Sequence, residues 1–72
     1  MISLTHRFGL ALRRLREQRH WSQEALAGVA GLNRSYLGEI ERGAAVPSLL
    51  TLVKLAEAFG LSLTELVASC GL

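Results

Sequence analysis

The 72-residue sequence predicts an all-α fold, a compact unit of five short helices. Three observations carry that prediction. Apolar residues recur at helical spacing, serine and asparagine caps alternate with glycine stops, and no long alternating β-branched run is present. Linkers, low-complexity stretches and internal repeats are absent, so residues 1–72 are expected to form one domain.

The first helix is expected from about Thr5 to Arg19, with Phe8, Leu12 and Leu15 on one side and Arg7, Arg13, Arg14 and Glu17 on the other. Arg16 falls about 80° from the apolar centre at 100° per residue. That is the edge of the core, where an arginine needs a partner. In "WSQEALAGVA", Ser22 is the N-cap of the second helix, and Trp21 and Leu26 hold the positions of a hydrophobic staple. Gly31 ends that helix by supplying a positive φ.

The third helix is expected within Leu32 to Arg42, capped by Asn33 and closed by Gly43. Tyr36, Leu37 and Ile40 share one arc of its wheel, and Arg34, Ser35, Gly38, Glu39 and Arg42 share the other. Gly38 is therefore expected in the polar face, at about 1 kcal/mol relative to alanine. A bare position there lets the backbone approach another surface closely.

After "AAVP", Ser48 caps a fourth helix whose stripe is Leu49, Leu52, Val53, Ala56 and Phe59, ended by Gly60. "SLTE" at 62–65 is a capping box for the fifth, with Leu61 and Leu66 as its staple.

Composition narrows the function. Half the residues are hydrophobic, 19% are charged and mean hydropathy is +0.31, an apolar surplus for so small a core. It points to an apolar patch used for a partner. The net charge of +2 is uneven: residues 1–43 hold seven arginines against four glutamates, and the remainder holds Lys54 against Glu57 and Glu65. The first half is the face expected for a polyanion. Arg7, Arg13, Arg14 and Arg19 read as a solvated helix face, with phosphate contact the alternative for one of them.

The single cysteine, Cys70, excludes an intramolecular disulfide and a cysteine metal cluster, and reads as a small apolar residue near a frayed end. His6 and His20 have no spaced partners, so no metal site is expected. No cleavable signal and no span of roughly 20 apolar residues is visible, which predicts a cytoplasmic protein without a membrane partner. There is no aspartate, the glutamates are scattered, and nothing pairs Ser22 with a base. An enzyme is not expected, nor a cofactor or small-molecule ligand.

Two short helices joined through a glycine turn, the second with a polar outer stripe, form a helix-turn-helix. Arginine donates a fork to guanine, glutamate accepts from cytosine N4, and serine serves several base edges. Arg42 and Gln23 suit phosphate oxygens. Tyr36 is core by wheel position, with a phosphate contact through its hydroxyl the alternative.

The stretch "SQEALAGVAGLNRSYLGEIERG" resembles the helix-turn-helix of the lambda-repressor and Cro-like (XRE) family. Its most specific pieces are Gln23, Ala27, Gly31, Ile40, Glu41 and Gly43, and "PSLLTLVKLAEAFGLSLTEL" resembles the family's fourth and fifth helices. The resemblance covers nearly the whole chain. It implies a lambda-repressor-like DNA-binding domain and a sequence-specific transcriptional regulator whose third helix enters the major groove. Arg34, Ser35 and Glu39 match base-reading positions, and Gln23, Asn33 and Arg42 match positions that contact the DNA backbone. Arg16 and Glu41 match a structural ion pair. "AAVP" departs from relatives that carry a basic residue there for another phosphate, and Glu39 would repel phosphate unless a base or an arginine pairs with it.

A recognition helix alone reads few base pairs, so a homodimer on palindromic double-stranded DNA is expected. Its interface is expected at Leu61, Leu63, Val67 and Leu72, with Leu49 or Leu50 as extensions. A restriction–modification controller, a small phage-type repressor and an antitoxin all fit. The alternative is a protein-interaction module that keeps the fold without specific DNA binding.

Overall fold

The computed structural model describes residues 3–71, which form α1 (Leu4–Gln18), α2 (Gln23–Ala30), α3 (Arg34–Glu41), α4 (Leu49–Ala58) and α5 (Leu63–Ser69). No strand is present among the described residues. Local chemistry starts each helix. Ser22 accepts from the Ala25 amide at 3.0 Å, and Ser48 accepts from the Thr51 amide at 3.0 Å. Asn33 Oδ1 accepts from Ser35 and Tyr36. The first helix begins one residue earlier than expected, because Ser3 caps it through the His6 amide.

Ser62 and Glu65 make the reciprocal capping box: Glu65 N donates to Ser62 Oγ at 3.0 Å, and Ser62 N donates to Glu65 Oε1 at 2.8 Å. The bond from the Ser62 backbone, followed by that from its side chain, holds the Glu65 carboxyl below the usual carboxylate range. A depressed carboxyl contributes stability above its unfolded pKa and loses it as pH falls through the folded value. Acid titration is therefore expected to fray the first turn of α5 in that window. NMR of the Glu65 carboxyl checks this: a midpoint at the ordinary glutamate value, or one unchanged by Ser62→Ala, would refute it.

All five helices feed one core. Leu12, Leu26, Leu37, Ile40, Leu55 and Leu66 are fully buried, with Phe8, Phe59 and small alanines between them. Helix α3 is held from two sides, by α1 and by α2, while α4 packs against α2 and α5. The α1–α3 crossing is close because Gly9 lies against the backbone of Ile40 and Glu41. His20, with φ of 58°, makes the left-handed step between α1 and α2.

Two of the arginines read as solvated side chains are exposed and also clamp helices. Arg19 donates to the Phe59 carbonyl at 2.7 Å, and its guanidinium lies 5.5 Å from the Trp21 ring and 5.4 Å from the Phe59 ring. Trp21 stacks on Phe59 with centroids 5.6 Å apart. Arg7 donates to the Gly71 carbonyl at 3.0 Å. In each case a cation satisfies a carbonyl just past a helix end, where the dipole is negative. Arg13 pairs with Glu17 one turn on, in solvent. Cys70 is a buried core residue at the end of α5 rather than part of a loose end, and burial pushes its thiol up.

Candidate nucleic-acid interface

The helix-turn-helix spans α2, the turn at Gly31 and α3. Gly31 has φ of 69° and donates to carbonyls of the last α2 turn, and Asn33 then opens α3. The turn needs the left-handed conformation that glycine adopts without a Cβ penalty. Leu37 and Ile40 plug α3 into the core, so its outer surface is fixed in rotation. Arg34, Ser35, Glu39 and Arg42 are all exposed on that surface. Asn33 is exposed too; Oδ1 is engaged by the cap, which leaves Nδ2 as its outward donor.

Behind this surface lies a buried charge network. Arg16 Nε donates to Glu41 Oε2 at 2.7 Å, and Nη2 donates to Oε1 at 3.0 Å. Arg16 Nη1 donates to the Trp21 carbonyl at 2.8 Å, and Gln23 Nε2 donates to Glu41 Oε1 at 3.0 Å. The hydrogen bond to Glu41 holds the Arg16 guanidinium above its ordinary value, against the opposing effect of burial. One carboxylate thus joins the end of α1, the start of α2 and the end of α3. Among the described residues no buried side-chain polar atom lacks a partner.

Gly38 lies in the polar face, outside the apolar core, as expected, but it is not bare there. It is buried, because a side chain from α2 and one from its own helix cover it. The wheel placed it by angle alone and carried no information about Gln23 leaning across from α2. Tyr36 is half-buried, and its hydroxyl lies 3.4 Å from Thr51 Oγ1, which itself accepts from Ser48 at 2.9 Å. Sequence reasoning missed the buried Thr51, for which no signal exists beyond its place in the first turn of α4. It also missed Gly9, whose signal was available: a glycine inside a helix.

The residues expected at the interface differ in exposure. Leu61, Leu63 and Val67 are half-buried, and Leu72 lies outside the described residues. The strongly exposed apolar side chains include Val46 at 77%, Leu49 at 68%, Leu50 at 64% and Leu4 at 62%. No cluster of three or more metal-ligating side chains, and no helix long and apolar enough to cross a membrane, occurs among the described residues.

The helix-turn-helix family HTH_3 matches residues 12–66, from the core of α1 to the middle of α5. The chain belongs to that family. HTH_3 proteins of the XRE type are DNA-binding transcriptional regulators, not enzymes. An uncharacterized HTH-type transcriptional regulator of Sinorhizobium fredii, y4dJ, is 41% identical over 54 residues, 75% of this chain and 70% of that protein. Other regulators of the family are longer: the chain spans 32% of SutR from Escherichia coli. The restriction–modification controller protein C.AhdI from Aeromonas hydrophila is 45% identical with a TM-score of 0.82, covering 86% of this chain and 94% of that one. SinR, a master regulator for biofilm formation solved in complex with DNA, is 31% identical with a TM-score of 0.76, covering 83% and 97%. Like these HTH_3 neighbours, the protein has the five-helix lambda-repressor-like fold.

Proposed function

We propose that residues 1–72 form one sequence-specific DNA-binding domain that acts in the cytoplasm as a homodimer on a palindromic operator. The observation that carries this reading is the outer face of α3, where Arg34, Ser35, Glu39 and Arg42 are exposed together while Leu37 and Ile40 anchor the helix from behind. Helix α3 lies in the major groove, with Arg34, Ser35 and Glu39 toward base edges. Gln23, Asn33, Tyr36 and Arg42 take the flanking phosphates, which set register rather than sequence. Two copies meet through Leu61, Leu63 and Val67, extended by Leu49 or Leu50, and place two recognition helices about 34–36 Å apart.

A controller of a restriction–modification system is the role favoured here, because the chain spans nearly the whole of C.AhdI. Regulation then acts through concentration and dimerisation, or through a partner protein.

Selection from a random duplex pool tests the reading, and a palindromic consensus with guanine in each half is the expected result. Arg34→Ala is expected to lose about 1–3 kcal/mol of binding and to relax preference at one position per half-site. A fold that serves only protein contacts would give no enrichment even at low salt. Sedimentation showing monomer alone at high micromolar concentration would remove the dimer.

A further inference from the structure

Gly38 lies inside an eight-residue helix, on the edge of α3 that turns toward α2, and is buried there. A Cβ at this position would sit 3.2 Å from Arg42 Nη1, 3.6 Å from Gln23 Oε1 and 3.9 Å from Gln23 Nε2. All three neighbours are the far ends of side chains. The Arg42 guanidinium therefore runs back along α3 over residue 38, one turn before its own Cα, instead of extending from the helix end into solvent. It makes no ion pair among the described residues. The Gln23 amide beside it is fixed by Glu41, and Glu41 by Arg16.

We propose that Gly38 is a positioning residue: its bare Cα forms the niche that seats the Arg42 guanidinium beside Gln23, aimed at a phosphodiester of duplex DNA. This rests on the reading of α3 as the DNA-facing helix. Arg42 is the sole basic residue between Tyr36 and Lys54, so neither the end of α3 nor the loop after it supplies another cation. An unseated arginine loses considerable rotamer freedom when it binds. One already laid along the helix surface loses less, which is how preorganisation raises affinity. The glycine in the middle of α3 thus acts on DNA indirectly, through the side chain it accommodates.

The experiment is duplex binding by wild type, Gly38→Ala, Arg42→Ala and the double variant across a salt series, on the selected operator and on random duplex. Gly38→Ala meets only flexible side-chain ends and gains helix propensity, so its melting temperature should equal or exceed that of wild type. Arg42→Ala should weaken both duplexes about tenfold, the worth of one charged hydrogen bond, and reduce the salt slope by about 1. Gly38→Ala should weaken both duplexes by a smaller factor than Arg42→Ala, without altering base preference. The double variant should be no weaker than Arg42→Ala alone. Wild-type binding by Gly38→Ala, with Arg42→Ala impaired, would overturn the niche and leave the DNA reading intact. Additive losses in the double variant would do the same. Failure of wild type to bind any duplex would overturn both.

Discussion

Glu41→Ala is expected to destabilise the protein by about 3–4 kcal/mol, the usual consequence of removing one partner of a buried ion pair. The carboxylate accepts two bonds from Arg16 and one from Gln23. Without it the Arg16 guanidinium keeps only the Trp21 carbonyl, in a site almost closed to water. Native stability is about 0.05–0.15 kcal/mol per residue, so the loss is a large part of the whole for a chain this short. Urea unfolding measures it, and a midpoint equal to that of wild type would show that the network is dispensable. The pair itself is a different matter. Replacing both partners by apolar side chains of similar volume is often neutral, because two desolvation penalties disappear with the attraction. Arg16→Met with Glu41→Leu should therefore be more stable than Glu41→Ala, although Gln23 would lose its anchor at the front of α2. Stability should recover while DNA binding does not.

Much of the fold could be read from local chemistry. Ser22, Asn33, Ser48 and Ser62 each cap the helix they were expected to cap, since the bond runs only two or three residues along the chain. The wheel put Arg16 at the rim of the core in need of a partner, and Glu41 lies there. What stayed hidden depends on distance along the sequence. Arg19 reaches a carbonyl 40 positions away and Arg7 one 64 positions away, and no periodicity encodes such a bond. Gly38 lies on the polar face by angle, but Gln23 of another helix and Arg42 of its own lean over it. The assignment of Arg34, Ser35 and Glu39 to bases came from family resemblance, because an exposed polar stripe has the same composition whether it meets DNA or water.

Gly9 shows how the far side of α3 governs the near one. An added Cβ there would collide with the Ile40 carbonyl oxygen, stand 2.6 Å from that of Glu41 and lie 2.9 Å from the Glu41 carbonyl carbon. These are main-chain atoms, so no rotamer change relieves the clash; α1 and α3 must separate. Gly9→Ala gains about 1 kcal/mol of helix propensity. The displaced crossing opposes that gain by about 3 kcal/mol, the upper end of the usual overpacking penalty. A net loss of about 2 kcal/mol is expected, or roughly 10–15 °C in melting temperature for a domain of this size. An unchanged melting temperature would refute the close crossing. Gly38→Ala is the matched control, the same substitution inside a helix where only flexible side-chain ends are met. The collision falls on the residue whose side chain pairs with Arg16 and anchors Gln23, so Gly9→Ala should also loosen the network behind the recognition surface. Operator affinity measured well below the melting temperature should then fall more for Gly9→Ala than for another variant of equal stability whose defect lies in α5.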